Sequence, residues 1–332
     1  TATNEWNTGV AVGAWSTGGN LGTARYYLAG AGTQTAALAF GGATPPFTAA
    51  TELYNGTAWT EVNNLTTARS RLAGAGTQTA ALAFGSTPPD RTLTESWNGT
   101  NWTEVNNLGS GRYALAGAGT NTSALAFGGY EPSGYNGKTE LWNGSNWTEV
   151  NDLNTPARGY LGGVGASNTA ALGFGGYTPG GPTANTELWN GTNWTEVNNL
   201  NTARYNLSAA GATNTAVLAF GGANPGVQTV TELWNGTNWT EVNNLNTARQ
   251  GLSGAGITTA ALAFGGNVAP KTQTETWNGT NWTELADLNT EKSSLAGAGT
   301  NTAGLAFGGS PGVQASTEEW NQGPTTSTIT TD

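Results

Sequence analysis

Apolar and polar positions alternate along this chain in a pattern that returns at intervals of 43 to 46 residues. In one copy, a stretch of small residues from Leu72 to Gly76 ("LAGAG") leads into a nearly unbroken apolar run from Thr79 to Gly85. A Pro-containing segment of variable length follows, then "TELWNG"-like and "TNWTEV"-like stretches in which polar and apolar residues alternate. The pattern predicts four strands per unit, here called A to D. Strand B, apolar throughout, suits burial on both faces. Strand A is built of Gly, Ala and Leu and suits a crowded place where backbones converge. Strands C and D are joined by Asn-Gly, which predicts a type I′ hairpin with positive φ at both central residues. No segment carries helical periodicity.

Aligned on a basic residue, the chain divides into seven units that begin near Arg25, Arg69, Arg112, Arg158, Arg204, Arg249 and Lys292. Repeats of this size, all strand and with no helix, predict radial repetition, in which each sheet buries its faces against two neighbours. The expected fold is all-β: a seven-bladed β-propeller of four-stranded antiparallel blades, one domain over 1–332. A linear β-solenoid is the alternative, but its rungs are usually shorter and it needs caps that the sequence does not display.

The two ends of the chain predict how the ring closes. "TNEW" at Thr3 to Trp6 and "TEEW" at Thr317 to Trp320 both read as strand C, and Gly13 to Arg25 reads as strand D and its exit. Trp15 stands ten residues before Arg25, as Trp59 stands before Arg69. Segments 1–24 and 317–332 are therefore expected to close the ring. Strand C of the last blade is expected over Thr317 to Asn321 and its strand D around Val10 to Thr17. Eight C-like segments serve seven blades, so one is surplus.

The order of Arg, small-residue strand, apolar strand ending in Gly-Gly, aromatic, then Trp resembles the kelch repeat. The diglycines are Gly41-Gly42, Gly128-Gly129, Gly175-Gly176, Gly221-Gly222, Gly265-Gly266 and Gly308-Gly309, with Gly85-Ser86 in the second unit. The aromatic and the Trp correspond to Tyr54 and Trp59, Trp97 and Trp102, and so on to Trp277 and Trp282. Their spacing of five is shorter than is usual in that family, which implies a tighter C–D turn. The resemblance implies a propeller that binds proteins, peptides or glycans through one face. It also brings to mind copper oxidases built on such propellers, which need His and Cys ligands that this chain lacks.

Composition narrows the chemistry. The formal charge is -10, from 21 acidic and 11 basic residues, which argues against nucleic acid as a partner. No apolar stretch approaches the length of a membrane span, so no membrane insertion is expected. The chain opens at Thr1 with neither an initiating Met nor a signal-peptide pattern, so its numbering is expected to start at an internal or processed point. Without His or Cys the common nucleophile–base pairs are missing, and no calcium-loop motif is present. A two-carboxylate glycosidase stays formally open. The Glu residues, however, recur in every unit, and repetition marks a scaffold rather than a single active site. The expectation is no enzyme, no cofactor and no metal. The "NGTNWT" sequons, such as Asn98 and Asn101, read as turn chemistry or as N-glycan acceptors.

The recurring Arg leaves two readings. In an up-down-up-down blade the B–C and D–A connections share one face, and the B–C loops are the variable ones ("YEPSGYNGK", "YTPGGPTAN", "ANPGVQTV"). The Arg sits where the D–A connection enters strand A, next to variable residues that are often Tyr. A binding reading makes Arg25, Tyr26, Arg69, Arg112, Tyr113, Arg158, Tyr160, Arg204, Tyr205 and Arg249 a ligand-gripping ring with partly accessible guanidinium groups. A structural reading pairs each Arg with the Glu that begins strand C; for Arg204 that is Glu232 in its own blade, or Glu187 or Glu275 next door. The functional expectation is a recognition module whose variable face takes a glycan or anionic polymer, at an extracellular or virion surface such as a tail fibre. The alternative is a structural block with protein partners in a larger assembly.

Overall fold

The computed structural model describes residues 13–89 and 91–323. It is an all-β, seven-bladed propeller in which each blade is a four-stranded antiparallel sheet. Blade 1 runs through strands A (Ala29–Thr33), B (Ala36–Phe40), C (Thr51–Tyr54) and D (Trp59–Glu61). Blades 2 to 6 repeat this order, opening with strands A at Ala73–Gly76, Ala116–Thr120, Gly162–Ser167, Ser208–Thr213 and Ser253–Ile257. Blade 7 takes Ala296–Gly299, Ala303–Phe307 and Thr317–Gln322 from the end of the chain and Gly13–Thr17 from its beginning.

Closure follows the expected register. Trp15 pairs with Trp320, as Trp102 pairs with Trp97 inside blade 2. Two side chains of blade 1 reinforce the seam: Gln34 Nε2 donates to the Trp320 carbonyl at 2.6 Å, and the Tyr54 hydroxyl bonds to Glu319. The seven C strands in use are those from Thr51 to Thr317, so the surplus segment is Thr3 to Trp6, which lies outside the described residues. Residues 10–12 of the expected closing strand, and residues 325–330, lie outside them too.

Blades hold one another through an aromatic joint used seven times. The Trp that opens strand D packs its ring on the Phe that ends strand B of the preceding blade, for example Trp194 on Phe127 at 4.9 Å and Trp102 on Phe40 at 5.0 Å. Its indole N–H then donates to the Thr that begins strand C of that same preceding blade, Trp194 to Thr139 at 2.8 Å and Trp102 to Thr51 at 2.9 Å. Burying a Trp is stable only when its N–H finds an acceptor, and the "T" of "TELW" supplies one. Strand A needs Gly beside this joint because a Cβ on Gly117 would lie 2.9 Å from the ring of Phe84.

The C–D turn differs from the type I′ expectation. In blade 2 the hydrogen-bonded corners are Asn98 and Asn101, so the central residues are Gly99 and Thr100. Positive φ falls on Gly99 alone, at 94°, so one residue and not both central ones takes the left-handed backbone. Asn98 instead uses its side chain, whose Oδ1 accepts from the N–H groups of Thr100 and Asn101. This is the turn chemistry read from the sequon, with a different division of labour between Asn and Gly.

The joint yields a stability expectation. Phe127 is fully buried between blades 3 and 4, so Phe127→Ala should cost about 3–5 kcal/mol. Urea unfolding of the two proteins measures this, and a loss under about 1 kcal/mol would show that the blades do not depend on it.

Candidate functional site

The recurring basic residues lie inside the blades. Arg25, Arg112, Arg158 and Arg204 are 0% exposed and Arg69 and Arg249 are 1% exposed, so the expectation of solvent-accessible guanidinium groups is corrected. Each reaches the strand C Glu of its own blade: Arg25 to Glu52 at 2.8 Å, Arg69 to Glu95 at 2.9 Å, Arg112 to Glu140 at 2.7 Å, Arg158 to Glu187 at 3.1 Å, Arg204 to Glu232 at 3.1 Å and Arg249 to Glu275 at 2.7 Å. The other Glu oxygen accepts from a backbone N–H of the incoming D–A connection, such as Asn201 N to Glu232 at 2.6 Å and Gly109 N to Glu140 at 2.6 Å. The guanidinium also donates to the B–C connection, as Arg204 does to the Val230 carbonyl at 2.5 Å. One ion pair thus ties three segments together. Desolvation is the largest influence on the proton affinity of Arg25, Arg112, Arg158, Arg204 and Arg249 and lowers it, while the facing Glu raises it; Arg158 and Arg204 fall to about 10 and stay charged at neutral pH.

The mouth of the channel is built from the residue two positions after each strut. Tyr27, Arg71, Ala114, Tyr160, Asn206 and Ser294 all hold the left-handed conformation, with φ between 51° and 54°, and Gly251 completes the ring at 60°. These residues link blade to blade through their backbones: Arg71 N donates to Tyr27 O, Tyr160 N to Ala114 O, Asn206 N to Tyr160 O, Gly251 N to Asn206 O and Tyr27 N to Ser294 O, at 3.0 to 3.2 Å. Left-handed backbone favours Gly and is uncommon for a large side chain. Six of the seven positions nevertheless carry a side chain, two of them Tyr and one Arg.

A cavity of about 610 Å³ opens here, lined among others by Tyr27, Arg71, Tyr135, Tyr160, Tyr177 and Tyr205. Tyr135 and Tyr177 arrive on short hairpins folded from the B–C loops of blades 3 and 4 (Tyr130–Glu131 with Gly134–Tyr135, Tyr177–Thr178 with Gly181–Pro182). The remaining mouth tyrosines stack behind: Tyr26 on Tyr27, and Tyr113 on Tyr130, which meets Tyr135 edge-on at 5.1 Å. Eight of the nine tyrosines in the chain therefore gather at one end of the channel. The opposite arc is polar, with Asn206, Asn267, Ser293 and Ser294.

Of the sequence-predicted site residues, Tyr160 and Tyr205 line the cavity, Tyr26 and Tyr113 support its wall, and the six Arg stand behind it as struts. Sequence reasoning missed Tyr27, Arg71, Tyr135 and Tyr177 as lining residues. For Tyr27 and Arg71 the available signal was that identity varies at the second position after the recurring basic residue, whereas a scaffold position repeats. Deeper in the channel the walls are the Gly and Ala of strands A, such as Gly30, Ala31 and Gly32. Among the described residues no three His, Cys, Asp or Glu side chains gather to hold a metal ion. Among the described residues no helix is long and apolar enough to cross a membrane. Neither a protein-family model nor a curated protein matches the chain.

Two outcomes test the struts. Arg204→Ala strands Glu232 as a buried unpaired charge and should cost about 3–5 kcal/mol in urea unfolding; a loss near zero would mean that water reaches the pair. The seventh strut, Lys292, sits 3.8 Å from Glu318 and donates to the Ser316 carbonyl at 2.9 Å. Burial lowers its pKa to about 8 from 10.5, against the pull of Glu318. The folded protein then binds fewer protons than the unfolded chain between these values, so stability rises with pH across that window. An Arg in the same strut, lowered to about 10 as Arg204 is, stays charged through the lower part of that window. Lys292→Arg should therefore be more stable than the parent at pH 7, by about 1 kcal/mol, with an advantage that shrinks from pH 8 towards 10. Unfolding both proteins across this range gives the answer, and a pH-independent difference would contradict a buried, charged Lys292.

Proposed function

We propose that this protein is a non-enzymatic recognition module that holds a glycan or anionic polymer in the tyrosine-lined mouth, at an extracellular or virion surface. One observation carries the reading: eight tyrosines collect where the repeat departs from its own symmetry. The scaffold contacts recur in every blade, but the aromatic wall belongs to blades 1, 3, 4 and 5. Strain of about 1–3 kcal/mol per residue in disfavoured backbone persists where side chains serve a purpose, and Tyr27 and Tyr160 hold such backbone. Tyr offers a flat apolar face and a hydroxyl on one side chain, which suits the C–H face and hydroxyls of a sugar ring. The volume falls in the range of small-ligand sites, about 300–1,000 Å³. The kelch-like order of residues is in keeping with recognition through this face.

The alternative of a structural building block asks for a contiguous apolar surface. Among the described residues the large exposed apolar side chains are Ile257 and Val313, on the A–B turn of blade 6 and the B–C loop of blade 7. They form no patch, which favours the recognition reading.

A glycan array probed with the labelled protein tests the proposal. Binding should appear for a limited set of saccharides and should fall at least tenfold, about 1.4 kcal/mol, in Tyr160→Ala and Tyr205→Ala. No bound saccharide, or binding indifferent to both substitutions, would refute it.

A further inference from the structure

We infer that the mouth takes an acidic sugar residue, its oxyanion held by Arg71 and its ring set against the tyrosine arc; this rests on the glycan reading above. Of the 11 basic residues in the chain, seven are the struts from Arg25 to Lys292 and are buried. Lys138 stands 3.9 Å from Glu149 on the outer strand of its blade, and Arg91 and Lys271 lie on the B–C loops of blades 2 and 6, outside the residues that line the cavity. Arg71 is the one charged side chain among the residues that line the cavity. A protein of formal charge -10 thus places a single positive charge in its aromatic mouth.

The geometry of Arg71 is that of a held but unspent donor. Its guanidinium carbon lies 3.9 Å above the Tyr27 ring, and Nη1 lies 3.5 Å from the Tyr160 hydroxyl. Ala114 stands between Arg71 and Tyr160 in the ring order and carries nothing beyond a methyl group. Among the described residues no carboxylate lies within ion-pair distance of Arg71, whereas every strut has one. Stacking fixes the plane of the guanidinium without using its in-plane N–H groups, and the long contact with the Tyr160 hydroxyl engages Nη1 alone, so Nε and Nη2 are left to form a fork for a carboxylate or sulfate. Ordering before binding reduces the entropy lost on binding.

The backbone says that this Arg is not there for the fold. Its φ of 54° belongs to a position where Gly would sit without strain, as Gly251 does in blade 6. The other occupants, Tyr27, Ala114, Tyr160, Asn206 and Ser294, are neutral, so no blade-to-blade contact calls for a charge. A sugar is favoured over a peptide because the rest of the lining is Tyr, Asn and Ser, with Leu252 and Leu295 the only large aliphatic side chains. Such a wall matches a ring dense in hydroxyls better than it matches apolar side chains.

Isothermal titration of the full chain with five probes tests the inference: a uronic-acid trisaccharide, its methyl ester, a sulfated trisaccharide, a neutral trisaccharide, and an acidic peptide with a free carboxyl terminus. The uronate or the sulfated probe should bind, and which of them binds tighter identifies the oxyanion. Esterification should weaken uronate binding about 10- to 100-fold, as should Arg71→Gln, the usual size of a lost charged hydrogen bond. Arg71→Lys should fall between, and binding of the neutral probe should not change. Arg71→Gly, which suits the left-handed backbone, should lose the same acidic selectivity without loss of thermal stability, which separates recognition from folding. If neutral and acidic sugars bind equally and Arg71→Gln has no effect, while Tyr160→Ala abolishes both, the acidic-sugar inference is wrong and the glycan mouth stands. If no saccharide binds, both fall. If the peptide alone binds and Arg71→Gln abolishes it, the ligand class is wrong.

Discussion

Everything at the mouth of this propeller depends on a charge pair buried inside each blade. The basic residue at the end of every D–A connection, Arg in six blades and Lys292 in the seventh, cannot be left in a dry sheet without a counter-charge, and the Glu at the start of strand C supplies it. The same carboxylate also receives backbone N–H groups of the connection, as Glu187 does from Asn154 at 2.5 Å and Thr155 at 3.2 Å. Replacing such a pair with apolar residues can be neutral for stability in other proteins. Here the pair also sets where the chain enters strand A. The left-handed residues of the collar follow two positions later, so their placement inherits the rigidity of the strut.

This arrangement divides the labour between repeated and unrepeated positions. Blade contacts are made by residues that recur: the strut, the Trp on the preceding Phe, the indole N–H on Thr, and the Gly that lets strand A approach. The collar bonds that recur from blade to blade are made by backbone groups, N–H of one blade to C=O of the one before. A backbone bond accepts any side chain that tolerates the conformation. The collar residue and the B–C loop are therefore free to differ between blades while the ring around them stays regular. Tyr130, Tyr135 and Tyr177 exploit that freedom on short hairpins.

Much of the fold was legible in the sequence because each cue was printed seven times. The apolar strand B, the Trp register and the matching C and D fragments at the two ends specify blades and closure without any long-range information. The C–D turn was misread in type because Asn-Gly carries two devices, a left-handed backbone and an Asx side chain. Only coordinates show that Gly99 supplies the first and Asn98 the second. The site was harder to read. Repetition drew attention to the Arg, and the possibility of pairing with the same-blade Glu was visible, but burial is a three-dimensional property. Arg71 carried no repeat signature, since its six counterparts are neutral, and a residue that appears once looks like noise in a repeat.

That inversion has a physical basis that extends beyond these residues. In a closed ring each blade must present the same surface to its neighbour, so any side chain that serves the ring is needed in every copy. A ligand bound off the axis contacts only some blades and meets no such requirement. The features that serve recognition should then be those that break the repeat while leaving its backbone bonds intact. Arg71 and Tyr160 satisfy both conditions: each keeps its collar hydrogen bond, at 3.0 Å, and each places in the mouth a side chain that its scaffold position does not require. Arg204 fails the first condition and Ile257, exposed on an A–B turn away from the collar, fails the second. By this criterion the tyrosine arc and Arg71 form one candidate site, held on a frame whose strut charges are turned inward.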